Sequence, residues 1–413
     1  MTLPLSFYVH LPWCVRKCPY CDFNSHTAGE AADRKRYLDA LLEDIRLEGV
    51  RAGDRVVETV FFGGGTPSYF SADEIGRMLE AIDDSLVLSA GAEVTMEANP
   101  GTVERGCLAD YRRAGINRLS LGAQSFDDDA LRRLGRIHGS AEIVKAVEDA
   151  GRAGFASVNI DLMYALPGQT LETALSDIRE VIALEPQHVS WYQLTLEPNT
   201  VFYARPPSGI PDEYLVAAIE QEGYELLGAA GYERYETSAF ATPGHRCRHN
   251  LNYWRFGDYL AAGAGAHGKV TDDEGGVWRY RKPAHPSSYM LAFESGAVDV
   301  PTRRLPPRDV AFEFMLNALR LTGGFTRTLF TDRTRLPWAL VLRGIDRAES
   351  LRLLGRSTGP DGETLVAPTA LGRRFLNDLQ ALFLPEALDG LACGSVDASS
   401  AGPRDPVAAI RTS

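Results

Sequence analysis

The sequence predicts an α/β fold, a partial (β/α)6 barrel followed by a smaller, mainly helical domain, and three observations carry this. First, six β-rich segments alternate with amphipathic helical stretches along the first half of the chain, a rhythm that a parallel sheet satisfies. Second, glycines or single polar residues close those β-rich segments, at the strand ends where such folds keep their chemistry. Third, the rhythm stops after about residue 205, and a proline-containing break at "PTRRLPPRD" opens a helical section.

In chain order the strand segments are "SFYVHL", "VVETVFFGGG", "EVTMEANP", "RLSLGAQS", "SVNIDLMYALP" and "HVSWYQLTLEPN". The helical stretches between them include "DEIGRMLEAIDDSL", "LADYRRAG", "AEIVKAVEDAGRAG" and "LETALSDIREVIAL". Ser71 followed three residues later by Glu74 is the signature of a capping box, so a helix is expected to start there. Beyond residue 205, "PDEYLVAAIEQEGYELLGAAGYERYETSAFA" reads as a helix leading to an edge strand. A loop rich in His, Gly and aromatic residues follows, "GHRCRHNLNYWRFGDYLAAGAGAHGK", and then helices from "VAFEFMLNALRL" to "LGRRFLNDLQALFL". The expected division is a barrel over residues 1–300, a helical domain over 301–385 and a disordered tail over 386–413. The tail is small and polar, and its Cys393 is given no role.

The 413 residues are 45% hydrophobic and 24% charged, ordinary for a globular chain with a large core. No apolar run approaches the roughly 20 residues of a membrane-spanning helix. The start "MTLPLSFYVHLP" lacks the basic and apolar regions of a signal peptide, so a cytoplasmic location is expected. There, six cysteines are expected as metal ligands or buried thiols and not as disulfides. A net charge of −12 argues against a nucleic-acid partner. No repeat of solenoid period is present.

Cys14, Cys18 and Cys21 stand on the loop after the first strand, spaced C-x3-C-x2-C. Three thiolates at this spacing suit a 4Fe–4S cluster with one iron left open to an outside ligand. A zinc site completed by His10 or His26 is the rival reading. Gly63, Gly64 and Gly65 end the second strand, where glycine lets backbone amides approach a ligand; a tight strand-to-helix turn would explain them equally well in isolation. Glu97, Gln124, Arg136 and Asp161 close the later strands and are expected to face the barrel mouth. Each alone fits a cap or turn residue; four at consecutive strand ends fit a site.

The cysteine spacing after a first barrel strand, with the glycines one strand on, resembles the radical S-adenosylmethionine (SAM) superfamily. The resemblance implies a TIM-type partial barrel. It also implies that the open iron chelates SAM, which an electron from the cluster then cleaves. "YVHLPWC", "KCPYCDFNSH", "GGGTPS", "MEANPGT", "LGAQSF", "LRRLGRIH", "NIDLMYALPGQT" and "WYQLTLEPNT" resemble a narrower group, the oxygen-independent coproporphyrinogen III oxidase-like family, nearly to Pro385. Carried over position by position, this implies SAM contacts from Tyr8, Tyr20, Gly64, Gly65, Thr66, Glu97, Gln124, Arg136 and Asp161. Arg136 would take the SAM carboxylate and Asp161 the ribose hydroxyls.

The stretch "HNLNYW" is similar to the HNxxYW signature of the heme chaperone branch of that family. It implies heme contacts from His249, Asn250, Tyr253 and Trp254, with Cys247 and His267 as rival iron ligands. A packed aromatic loop with a satisfied histidine is the plain alternative. The family divides between an enzyme, the coproporphyrinogen III dehydrogenase, and a chaperone that delivers heme to apoproteins such as membrane-bound respiratory cytochromes. Three features favour the chaperone. Phe23 stands where the dehydrogenase branch has a further cysteine; only seven residues precede Tyr8, too few for that enzyme's N-terminal arm; and the HNxxYW phrase is present. A site competent to cleave SAM is still expected, without dehydrogenase activity and with no catalytic side chain assigned. Radical modification of tRNA, a third reading, would call for a basic surface that this acidic chain lacks.

Overall fold

The structure, a computed structural model, describes residues 3–28, 31–103, 107–296, 298, 300–359 and 362–386. The expected disordered tail from residue 387 onward, with Cys393, lies outside the described residues. Over the described residues the chain forms two compact units. The larger is Met1–Tyr253 with Gly257–Thr271 and Trp278–Arg303; the smaller is Trp254–Phe256 with Asp272–Val277 and Arg304–Ser413.

Six strands in the larger unit run parallel as adjacent neighbours: β1 (Leu5–Leu11), β2 (Val56–Gly64), β3 (Val87–Ala98), β4 (Arg118–Gln124), β5 (Ser157–Tyr164) and β6 (His188–Gln193). They correspond one for one to the six segments read from the sequence. Further strands extend the sheet on both sides, β7 (Glu233–Arg234) and β8 (Ala239–Ala241) beyond β6, and β9 (Asp258–Ala262), β10 (His267–Thr271), β11 (Val277–Arg281) and β12 (Thr302–Arg304) beyond β1. β9 pairs with β1 in parallel, Tyr8 opposite Ala261, whereas β8 and β10 are antiparallel to their neighbours β6 and β9.

Alternation along β1 shows how the layers arise. Leu5, Phe7, Val9 and Leu11 pack into one core with Tyr37, Leu41 and Ile45 of helix α1 (Ala31–Ala52). Each such buried side chain contributes about 1.5–3 kcal/mol. The alternate residues Ser6, Tyr8 and His10 turn to the other face, as do the buried polar Thr59, Thr95, Ser120 and Asn159 of β2 to β5. The expected capping box opens helix α2 (Ala72–Ser85): Ser71 Oγ accepts from Glu74 N–H, and Glu74 accepts from Ser71 N–H.

The strands beyond β1 are held by a buried charge cluster. Lys282, just after β11, donates to Asp44 and, at 2.7 Å, to Glu48 Oε1, both on α1. Tyr289 and the Gly263 N–H also donate to Asp44 Oδ2, at 2.8 and 2.9 Å. The smaller unit is less purely helical than its sequence suggests. It includes a three-stranded antiparallel sheet in the order β13 (Phe325–Thr326), β15 (Thr364–Pro368), β14 (Leu354–Thr358). Short pairings at the ends of helical runs carry little periodic signal in a sequence.

Removing one member of a buried ion cluster strands the others in a low-dielectric interior. Lys282→Met is therefore expected to lower stability by about 3–5 kcal/mol in urea unfolding, and a loss below about 1 kcal/mol would show that the cluster holds nothing in place.

Candidate functional site

The loop that bears the three cysteines is tied down on every side. His10 Nε2 meets the Asn24 carbonyl at 2.9 Å, and Lys17 donates to the carbonyls of Phe23 and Ser25, each at 3.1 Å. The Asn24 amide donates to Ala264 O at 3.0 Å and Ala284 O at 2.9 Å. Trp13 and Cys14 pair with His26 and Thr27 in a short parallel ladder. So held, Cys14, Cys18 and Cys21 open onto one cavity of about 340 Å³, within the usual range for a small-molecule site. The carboxyl ends of β2 to β6 line the same cavity.

That cavity gathers Tyr20, Gly64, Gly65, Thr66, Glu97, Gln124, Arg136 and Asp161 with the three thiols. Tyr8 is the member of the expected SAM set that does not line it. Its half-buried ring lies beside Gly63 and the His249 ring, and its hydroxyl bonds His10 Nδ1 at 3.0 Å. Gln124 is held at φ +74°, a left-handed conformation uncommon for a side-chain-bearing residue, next to a register shift between β4 and β5. A bulge of this kind re-aims side chains at a strand end. Tyr192, which the sequence reading passed over, donates to Gln124 Oε1 at 2.8 Å and lines the cavity. Its place in the alternation of "HVSWYQ", opposite buried Trp191, is the signal that would have found it.

The glycines serve the site differently from the expectation that their amides greet a ligand. Gly64, Gly65 and Thr66 donate their N–H groups to Glu97 Oε2 (3.2 Å), Leu11 O (2.8 Å) and Trp13 O (2.8 Å). A Cβ on Gly64, at φ +118°, would lie 2.6 Å from the His10 ring, and one on Gly65 would lie 2.7 Å from Trp13 O. The glycines let β2 close against β1 and the cysteine loop. The Glu97 carboxyl, which takes the Gly64 N–H, itself lines the cavity.

Glu97 is half-buried in the cavity wall, and desolvation with the neighbouring Asp161 charge pushes its pKa up to about 8, against the pull of the Gly64 N–H. Burial also raises Asp161, although Asn159, Ser190 and Ser120 hydrogen-bond its carboxylate. A cation bound beside them would pull both back toward the ionised form. Burial likewise raises the thiols of Cys14 and Cys21.

The donor set fits a three-thiolate 4Fe–4S cluster with SAM at its open iron. Three partly buried thiols face one cavity, and Arg136 directs Nη1 at Cys18 Sγ (3.7 Å) while its buried Nε has no partner among the described residues. No three His, Cys, Asp or Glu side chains among the described residues converge closely enough for a single ion. His10 has both ring nitrogens engaged, and His26 faces Asn24 and His285, which disfavours the zinc alternative.

The HNxxYW stretch is not a loop but the short helix α3 (Arg248–Trp254), in which residues four apart share a face. His249 is buried, its ring nitrogens meeting Thr59 Oγ1 at 2.8 Å and Tyr253 OH at 3.0 Å. Its ring stacks on Phe61 at 4.9 Å, and burial, followed by Arg118, drops its pKa to about 3. The imidazole is neutral but fully spent. Asn250 and Tyr253 are half-buried, and Tyr253 meets Tyr259 edge-on at 4.5 Å. Trp254 falls in the smaller unit, under the Arg320 guanidinium at 4.3 Å, with its indole nitrogen lacking a partner among the described residues. Cys247 is buried, with burial pushing its thiol up to about 11. His267 is exposed.

Comparison with known proteins gives the family. Residues 8–181 match the model of the radical SAM superfamily. The chain is 46% identical over 383 residues to the heme chaperone HemW of Escherichia coli, spanning 93% of this chain and 99% of that protein. It is 31% identical over 385 residues to heme chaperone HemW of Bacillus subtilis, spanning 92% and 99%. Among solved structures, coproporphyrinogen III oxidase (HemN) from Escherichia coli superposes with a TM-score of 0.77 at 24% identity, covering 92% of this chain and 90% of that one. That likeness speaks to the fold. Fold and site together define a radical SAM protein. Within that superfamily, the chain belongs to the family of the heme chaperone HemW.

Two outcomes test the site. Glu97 gains a proton on folding, so the stability it contributes is full below its unfolded value near 4.5 and is lost as pH rises through about 8. Glu97→Gln should flatten that decline and leave the ligand-free protein more stable than wild type at pH 8 by roughly 2–4 kcal/mol in urea unfolding. His249→Ala should cost roughly 2–4 kcal/mol without any heme present, because it leaves a cavity and takes away the partner of the Tyr253 hydroxyl; unchanged thermal unfolding would contradict the packed role.

Proposed function

We propose that this protein binds heme and delivers it to heme-accepting apoproteins, membrane-bound respiratory enzymes among them, from the cytoplasmic side. The full-length identity of 46% to heme chaperone HemW of Escherichia coli is the observation that carries the reading. Among the described residues no helix is long and apolar enough to cross a membrane, in keeping with a carrier that visits its acceptors. When bound, the SAM-ligated cluster supplies reductive cleavage chemistry. Cys14, Cys18 and Cys21 would hold it. Glu97 would pair with the SAM ammonium, Arg136 with its carboxylate and Asp161 with its ribose. Tyr20, Gly64, Gly65, Thr66 and Gln124 would complete the contact surface, with Tyr8 supporting it from behind.

The second reading, coproporphyrinogen III dehydrogenase, draws on the shared fold with the HemN structure. Against it, Phe23 lines the cavity with 60% of its surface exposed, a bulky apolar group where that branch has a thiol.

Anaerobically reconstituted protein separates the two readings. Titration with heme should give a saturable Soret change, and incubation with coproporphyrinogen III, SAM and a reductant should yield no decarboxylated product. Turnover to protoporphyrinogen would make the protein an enzyme and reverse the assignment.

A further inference from the structure

His249 is held away from any ligand, so a heme iron needs another partner. Of the eight histidines, six have a ring nitrogen in a hydrogen bond: His10, His26, His138, His188, His249 and His285. His245 and His267 form none among the described residues. His245 lies in a turn whose neighbouring arginine, Arg246, is engaged by Glu233 and the Tyr235 ring. His267 stands at the start of β10 in a different setting.

The register of β10 and β11 defines that setting. Lys282 N–H donates to Ala266 O at 2.9 Å, and the Tyr280 ring occupies the space beside Gly268, where a Cβ would lie 2.0 Å from it. Tyr280 therefore takes the face toward α1, and His267 and Arg281 stand across from each other on the opposite face. Arg279 shares that face: it donates to the Tyr259 hydroxyl, with its guanidinium 5.3 Å from the Tyr259 ring centre. Lys269, between them, spends its ammonium on Asp258 at 2.9 Å. Tyr259 in turn meets Tyr253 of α3. Gly265, two residues before His267, packs so closely on Asn24 that a Cβ would lie 2.2 Å from its amide, placing this face beside the cysteine loop.

An uncommitted imidazole, two guanidiniums and an aromatic ring on one exposed sheet face, in a chain of net charge −12, match a planar iron porphyrin with two carboxylates. We propose that His267 is the axial ligand to heme iron, with Arg279 and Arg281 binding the propionates and Tyr259 flanking the macrocycle. Partial desolvation by its surroundings, then Arg281 and Arg279, hold the exposed imidazole below its ordinary pKa, which favours the neutral form that binds iron. This assignment rests on the heme-binding reading above and names the site for it.

The test titrates hemin and hemin dimethyl ester into the anaerobically reconstituted full chain, following the Soret and charge-transfer bands. His267→Ala is expected to weaken hemin binding at least tenfold. His267→Met should retain binding with a changed axial-ligand spectrum, which a merely misfolded variant would not show. The double variant Arg279→Gln with Arg281→Gln should weaken hemin by tenfold or more yet leave the dimethyl ester unchanged. Wild-type affinity and spectrum in both His267 variants would overturn the assignment while leaving heme binding intact, as would a loss confined to His245→Ala. Absence of any hemin binding by wild type would remove the heme-binding reading and this site with it.

Discussion

Asn24 holds the site together. Its side-chain amide reaches the carbonyls of Ala264 and Ala284, its own carbonyl engages His10 on β1, and its side-chain oxygen meets His26. One residue, three places after Cys21, thus fixes the cysteine loop to the first strand and to the segment flanking β10. Buried polar groups that satisfy one another in this way specify a single geometry, because each alternative leaves a donor or acceptor unpaired. The fit of Gly265 and Gly263 against this loop, where added carbons would collide with Asn24 and His10, follows from the same requirement.

Beneath the cavity the strands turn polar side chains inward, and the chain covers that layer with α3. His249, Thr59, Ser6 and Tyr253 form a closed set of hydrogen bonds there, while the His249 backbone N–H meets Glu93 at 3.0 Å. Tyr8 stands between this set and the cavity, its ring 6.5 Å from His249. A signature built of histidine, asparagine and aromatics therefore has a structural reason to exist before any ligand is invoked. On its outer side the set continues to Tyr259, whose ring Tyr253 meets edge-on.

The six parallel strands and the Ser71 capping box were legible because periodicity and helix caps are local signals. The cavity residues were legible for a related reason. Polar side chains at strand ends point one way once the strands run parallel, so Glu97, Gln124 and Asp161 had to meet; Arg136, expected to close a strand, instead reaches the cavity from the turn after a short helix, Asp128–Arg133. What local pattern could not reveal were relations set by distant pairing. The glycines at the end of β2 looked like amide donors to a ligand, but the N–H groups of Gly64, Gly65 and Thr66 are claimed by β3, β1 and the cysteine loop. The short helix at His249 looked like an open loop because its pairing partners lie nearly 200 residues earlier. His267 looked like one rival among several until Tyr280, taking the space beside Gly268, decided which face it occupies.

The pairing of β9 with β1 bears on how the protein is made. The first strand to leave the ribosome keeps one edge open until β9 emerges, and Asn24 finds its last anchor only at Ala284. At the usual pace of synthesis that interval lasts from roughly ten seconds to a minute. Throughout it the cysteine loop has only its local ties, without the Asn24 anchors at Ala264 and Ala284, and its thiols are the more open to solvent and oxidants. Oxidation of these thiols is thus a hazard that begins during translation and lessens only when the later strand closes the edge of β1.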